Sequence, residues 1–286
     1  MKHYFNIING KEKPRFMKNK ELLDKKISEL KRFLKSCELC EHRCKVNRLK
    51  SELGFCKVGL KWRIFGMHPH LGEESVLIPS GTIFAAGCTM KCVYCQNAPE
   101  SMNPGLGKEL SNKEVAEWIN SCGCKNVNFV GGDPTPYLLN ILETLKYVKI
   151  PIPIIFNSNA YYTEKTATIL KDIIDLYLLD FRYFNEECAI ELSSAPKYVK
   201  AAKRNHLLAN GDLIIRVLVM PGHIECDAKP ILRWIKANLK NAYVNVLAQY
   251  RPEFRAYEFD RINRALSYSE YKDVVSYAKE LGLRLI

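Results

Sequence analysis

The 286-residue sequence predicts an α/β fold, a partial (βα)6 TIM-like barrel with a small Cys-rich N-terminal domain. Three observations lead there. From residue 82 onward, short apolar runs bounded by turn residues alternate with helical patterns, and six strand–helix pairs in succession call for a parallel sheet with right-handed crossovers. Residues 82–286 fall short of the ~250 residues of a complete eight-unit barrel, so the barrel is expected to stay open. Ahead of it, four of the eleven cysteines crowd into residues 37–56, a piece too small to hold a core of its own.

Taken in order, residues 1–20 are polar and basic and read as an extended lead-in. From Glu21 to Leu34 the apolar residues Leu22, Leu23, Ile27, Leu30, Phe33 and Leu34 recur at helical spacing, which predicts an amphipathic helix. Cys37, Cys40, Cys44 and Cys56 follow, spaced C-x2-C-x3-C-x11-C, and can surround one ion or cluster without distant help. A structural zinc or a second [4Fe-4S] cluster satisfies the count equally. Residues 62–70 look like a short strand, and 72–81 like a loop. His68 and His70 flank Pro69 and read as ligands or as substrate-contacting groups.

Strands are then predicted at 82–86, 126–130, 153–157, 176–181, 213–219 and 243–247. Helices lie between them at 112–121, 137–147, 163–174, 196–209, 229–239 and 269–281, and 283–286 adds a closing strand. Ser111 with Glu114 forms a capping box, while Gly211 and Gly282 sit where helix C-caps belong. The division expected is residues 1–75, a basic region with a four-cysteine metal or cluster site, and residues 76–286, the barrel.

Composition narrows the class. With 47% hydrophobic residues the chain can bury a full core. No apolar run approaches a membrane span, and the N-terminus lacks the apolar core of a secretory signal. The expected compartment is the reducing cytoplasm, where an odd number of cysteines, most of them in two tight groups, fits metal binding better than crosslinking. The net charge of +12 is uneven: residues 1–75 carry 18 Lys and Arg against 9 Asp and Glu, and the remainder 25 against 22. A basic N-terminal quarter is compatible with RNA, with an acidic protein, or with a Lys-rich solvated surface.

The stretch Gly87-Cys88-Thr89-Met90-Lys91-Cys92-Val93-Tyr94-Cys95 organises the rest. Cys88, Cys92 and Cys95, spaced C-x3-C-x2-C after an apolar strand, are too close to lie along one regular element and must curl into a loop. A four-iron cluster takes four thiolates, so three leave one iron open, and an open position is where a substrate or cofactor binds. The other reading is a zinc knot completed by a distant Cys or His.

This spacing resembles the signature of the radical S-adenosylmethionine (radical SAM) enzymes. The resemblance implies a [4Fe-4S] cluster on Cys88, Cys92 and Cys95, with S-adenosylmethionine chelating the fourth iron and yielding a 5′-deoxyadenosyl radical. It also implies that Tyr94 lies near the adenine. Gly131-Gly132-Asp133 resembles the Gly-Gly-Glu turn that receives the cofactor's amino group, with a shorter acid at Asp133. Asn159 ends the third strand. Asp180 and Arg182 at the fourth resemble an Asp-x-Lys pair that contacts ribose and carboxylate, Arg standing for Lys. Arg216 with Pro221-Gly222 resembles the Arg-x-x-x-x-Pro-Gly run of the activating-enzyme branch, and Gln249 occupies a place where that branch often has His.

The whole chain is similar to the subgroup related to pyruvate formate-lyase activating enzyme. That likeness implies a glycyl-radical enzyme as protein substrate and a separate electron donor. Radical SAM modification of RNA or another substrate is the alternative within the class, and a non-enzymatic zinc or iron–sulfur binding module the alternative outside it.

Overall fold

The computed structural model describes residues 1–18 and 20–286. The strands are β1 (Trp62–His70), β2 (Ser80–Ala85), β3 (Lys108–Leu110), β4 (Asn126–Gly131), β5 (Ile154–Ser158), β6 (Leu176–Asp180), β7 (Asp212–Leu218), β8 (Tyr243–Leu247) and β9 (Arg284–Leu285). They form one sheet in the order β3-β1-β2-β4-β5-β6-β7-β8-β9, parallel from β2 through β9. The six predicted strands fall within two residues of those observed. The sheet is an open, partial barrel, as the short chain requires. Its unclosed side carries the antiparallel pair β1 and β2, with His68 opposite Thr82 and His70 opposite Ser80.

Helices α4 (Asn112–Ser121), α5 (Leu138–Leu145), α6 (Glu164–Leu170), α8 (Tyr198–Leu208), α9 (Lys229–Asn238) and α10 (Tyr268–Glu280) follow the strands as expected. Ser111 caps α4 with the reciprocal Glu114 bond that its sequence announced. Gly282 takes the left-handed conformation after α10. Gly211 does not. It is needed because a Cβ there would stand 2.7 Å from the Asp175 carbonyl oxygen. Helix α7 (Glu186–Ser193), capped by Asn185, was not foreseen, because its apolar residues are few and irregular.

The lead-in differs from expectation. Residues 1–18 are not extended: α1 (Lys2–Ile8) and α2 (Arg15–Lys18) form there. Tertiary burial overrides a weak local pattern. Tyr4 is fully buried, packs with Leu77, Ile155, Leu176, Leu178 and Ile214, and receives a hydrogen bond from Asn126 at 2.8 Å. This layer closes the N-terminal mouth of the barrel.

Above it lies a polar layer. Arg216 on β7 donates to both Glu73 and Glu74 of the segment before β2, and Asn245 on β8 donates to Glu74 at 2.9 Å. Burial alone would push the Glu74 carboxyl up, but the guanidinium of Arg216 holds it below its ordinary value. With these two layers filled, the open space is left at the C-terminal ends of the strands.

The N-terminal cysteine segment is tied to the barrel by backbone and side chain. Helix α3 (Lys20–Phe33) buries Leu23, Ile27 and Leu30 in the core shared with the barrel helices. Cys40 bridges to Tyr162, and Thr166 donates to the Leu39 carbonyl at 2.7 Å. Among the described residues no helix is long and apolar enough to cross a membrane.

Candidate functional site

The loop after β2 turns at Gly87, whose φ of +84° and proximity to Val58 leave no room for a side chain. Its backbone is then fastened on three sides. Lys91 and Val93 donate to the Ser193 and Leu192 carbonyls at 2.9 Å each, and Arg255 donates to the Val93 carbonyl at 2.7 Å. Asp133 donates its backbone N–H to the Gly87 carbonyl at 3.1 Å. The loop is therefore held by the ends of β4, α7 and the segment after β8.

Each sulfur has a protein partner. Cys88 Sγ accepts from the Met90 N–H at 3.3 Å and lies 3.6 Å from Asn159 Nδ2. Cys92 Sγ accepts from Ser193 Oγ at 3.0 Å and faces Arg182 Nη1 at 3.8 Å. Cys95 Sγ and Ser101 Oγ are 3.0 Å apart. Behind Ser193 a chain of hydroxyls runs through Tyr183 to Tyr94, the two phenols 2.5 Å apart.

An open cleft lies in front of the three cysteines. Tyr94, Gly131, Gly132, Asn159, Asp180, Arg182 and Arg216 all line it, together with Asn157 and Gln249. Asp133 does not. Its carboxylate turns inward, accepting from Ser158 Oγ (2.9 Å), Asn159 N (3.0 Å) and Thr135 N (2.9 Å), and so braces the turn that carries Asn159. Gly131 and Gly132 are glycines for a packing reason as well. A Cβ on Gly131 would stand 2.2 Å from Ala85 N, and one on Gly132 2.1 Å from the Gly87 oxygen.

The donor set suits a cluster with an open iron. Burial raises the thiol pKa of Cys88 and Cys92, and Asp133 and the neighbouring sulfurs oppose ionisation of Cys88 further. Two buried thiolates and a half-buried one are tolerable only around a cationic core. Three cysteines beside open space supply the ligands of a cubane with one open iron, and Arg182 and Asn159 stand next to their sulfurs, placed to meet an anionic or amide-bearing ligand.

Sequence spacing did not find Ser101, Tyr183 or Ser193, which meet the site only through the fold. Nor did it find the meeting of Cys188 with Cys226, 38 positions apart on α7 and the π-helical turn 224–228. The histidines His68 and His70 lie beside Phe84 on the barrel's unclosed side, the ring of His68 stacked on it at 5.3 Å.

Comparison with known proteins agrees with this geometry. Residues 82–235 match the model of the radical SAM superfamily, and the chain belongs to that superfamily. Its members are enzymes that use a [4Fe-4S] cluster and S-adenosylmethionine. The chain is 46% identical over 275 residues to the uncharacterized protein MJ0674 of Methanocaldococcus jannaschii, covering 93% of this chain and 80% of the relative. It is 25% identical over 113 residues to MJ1227 of the same organism, named provisionally as a glycyl-radical enzyme activating enzyme; 39% of this chain and 45% of that one are covered. Streptococcus suis SuiB, in a crystal structure bound to precursor peptide SuiA, aligns with a TM-score of 0.49 at 18% identity over 69% of this chain and under half of its own. Methylornithine synthase (PylB) aligns with the same score at 13% identity over 99% of this chain and 78% of its own.

Proposed function

We propose that this protein reductively cleaves S-adenosylmethionine at Cys88, Cys92 and Cys95 and uses the resulting radical to abstract hydrogen from a glycine of a partner enzyme. The observation that carries the reading is the three-thiolate loop opening onto a polar cleft in an unclosed barrel. When bound, the cluster and cofactor supply a one-electron cleavage that releases a 5′-deoxyadenosyl radical.

The chain's own groups set the stage for it. Arg182, held by Asp180 through bonds of 3.1 and 2.6 Å, presents a fixed guanidinium to a carboxylate. Asn159 is oriented by bonds to Thr89 Oγ1 at 2.9 Å and from the Tyr161 N–H at 3.0 Å. The backbone of Gly131 and Gly132 forms the wall opposite. Tyr94 is buried beside the cluster loop, its hydroxyl already bound to Tyr183, and offers a flat apolar face.

The glycyl-radical role draws on two supports: the likeness to MJ1227 and the open side of the barrel, where His68, His70 and Phe84 lie along β1 and β2. An extended loop of a folded partner can enter there without unfolding the barrel. Residues 1–75 are read as the region that brings the second cysteine group to this frame. The test is anaerobic: reduced, iron-reconstituted protein is incubated with S-adenosylmethionine and a peptide deuterated at its glycine Cα. Deuterium in 5′-deoxyadenosine is the expected result. Cleavage with no deuterium transfer from any glycine-bearing substrate would remove the glycyl assignment, and no cleavage at all would remove both.

A further inference from the structure

Cleavage at the barrel mouth leaves Cys37, Cys40, Cys44 and Cys56 without a task. The backbone folds them together: the Cys37 N–H donates to the Val46 carbonyl at 3.0 Å, the Lys45 N–H to the Cys37 carbonyl at 2.9 Å, and the Phe55 N–H to Cys44 Sγ at 3.3 Å. Four cysteines supply the full ligand set of a cubane and leave no iron open. A cluster with no open iron binds no substrate. What it can still do is pass electrons.

The two cysteine loops touch. The His42 ring bonds the Thr89 carbonyl at 2.9 Å and stacks on Phe55, the neighbour of Cys56, with centroids 3.6 Å apart. A Cβ on Gly87 would lie 3.3 Å from the Cys56 carbonyl oxygen. Lys91, between Cys88 and Cys92, places its ammonium 5.5 Å from the Phe55 centroid, buried and without a hydrogen-bond acceptor. An unpaired buried cation is costly unless negative charge lies close by, and two anionic clusters on either side would supply it.

The outer face of the four-cysteine segment is built differently. Between Cys44 and Cys56 the chain exposes Leu49 and Leu53, 38% and 57% accessible, together with Lys45, Lys50 and, just beyond, Lys57; the one acid of this loop, Glu52, is taken up by the Asn47 N–H at 2.6 Å. Arg48 is turned inward instead, donating to the Pro136 and Gly59 carbonyls. An apolar centre within a cationic rim fits an acidic protein partner, whose approach the charges would steer.

We propose that Cys37, Cys40, Cys44 and Cys56 hold a second [4Fe-4S] cluster that relays single electrons from an acidic electron-carrier protein, docked on the 45–57 loop, to the cluster at Cys88, Cys92 and Cys95. This rests on the reading of the barrel site given above. Each event oxidises the carrier by one electron and reduces the barrel cluster by one. The relay cluster returns to its starting state, and no bond or proton changes hands.

Anaerobic reconstitution tests the first half. The wild type should bind about eight irons per chain, and the triple variant Cys88→Ala/Cys92→Ala/Cys95→Ala about four, with a reduced-cluster EPR signal that S-adenosylmethionine leaves unchanged. Zinc together with about four irons in the wild type would overturn the proposal.

The second half uses photoreduced flavodoxin as the probe. The variant Lys45→Glu/Lys50→Glu/Lys57→Glu should be reduced roughly tenfold more slowly than wild type at low salt, with its rate toward dithionite unchanged. Equal flavodoxin rates would overturn the docking site, and so would salt-sensitive RNA binding lost in this variant while flavodoxin rates persist. Cys40→Ser/Cys44→Ser should keep about four irons, those of the barrel loop, and lose the EPR signal that S-adenosylmethionine leaves unchanged. If it loses its fold, the lysine variant and the iron counts still decide. Should the wild type form no 5′-deoxyadenosine even with dithionite, the barrel reading fails, while the iron counts and reduction rates still judge the relay.

Discussion

The molecule carries two cysteine groups, and they are finished differently. Around Cys88, Cys92 and Cys95 each sulfur meets a polar group from another part of the chain, and the loop faces a cleft. Around Cys37, Cys40, Cys44 and Cys56 the donors come from the segment's own backbone: the Phe55 N–H reaches Cys44 Sγ at 3.3 Å, and His42 and Val58 hydrogen-bond Cys40 and Cys56 through the main chain. On the proposed reading, three ligands beside open space make a reactive centre, and four in a short, lysine-rimmed segment a closed one. The difference would lie in ligand count and in where the outer partners come from, which set both reactivity and potential.

The harshest way to break the comparison is to remove a sulfur from each group. Cys92→Ala should abolish formation of 5′-deoxyadenosine, a loss of at least ~10³-fold by chromatography of the reaction mixture, because no other residue can restore the open iron. Residual cleavage near the wild-type rate would deny the barrel loop its role. Cys56→Ala should act chiefly on stability. Metal binding and folding are coupled in small metal-bound segments, and the melting temperature should drop by roughly 10 °C, read by circular dichroism, with dithionite-driven cleavage retained.

A break in the polar layer below the site comes next. Arg216→Met would leave the Glu73 and Glu74 carboxylates buried without their cation, which costs about 3–5 kcal/mol when one partner of a buried pair is removed. Denaturant unfolding at neutral pH should show that loss, while Arg216→Lys should recover part of it. A variant as stable as wild type would mean that this layer is wetter than its burial indicates.

Much of this frame was legible in the sequence, and the reason is locality. Six strands and the capping box of α4 depend on residues within one element, so alternation and spacing reveal them. The cysteine loops declare themselves for the same reason. What stayed hidden depends on distant partners. Tyr4 orders α1 only because the barrel floor receives it, Ser193 reaches Cys92 from a helix that sequence pattern did not mark, and Asp133 turns inward because Ser158 and Asn159 arrive from the next strand. The Gly-Gly turn reads as room for a ligand, but the structure shows that β2 and the cysteine loop require it as well.

The finishing of the reactive group can be tuned without removing it. Ser193→Ala deletes the hydroxyl bound to Cys92 Sγ and unties the Tyr183–Tyr94 chain behind it. A thiolate that loses a donor holds its negative charge less well, so the barrel cluster should become harder to reduce while the four-cysteine group is unmoved. Redox titration followed by EPR would separate the two signals. A shift in both, or in neither, would mean that the outer partners do not set the difference between the groups.

The smallest effect lies farthest from either group and tests whether the N-terminal plug is independent of them. His3 bonds Asp175 and Glu12 at 2.9 Å each, and the Asp175 bond is the main reason its pKa stands above the ordinary 6.5. A folded-state pKa raised above the unfolded one gives stability that is complete below pH 6.5 and fades as pH rises through the folded value. The melting temperature should therefore fall by a few degrees as pH rises above about 6.5, and His3→Gln should flatten that slope without altering iron content. The loss stays small because Asp175 keeps the Arg15 and Ile154 N–H groups at 2.9 and 2.8 Å when the imidazole is neutral. A slope that survives in His3→Gln would assign the titration to another group.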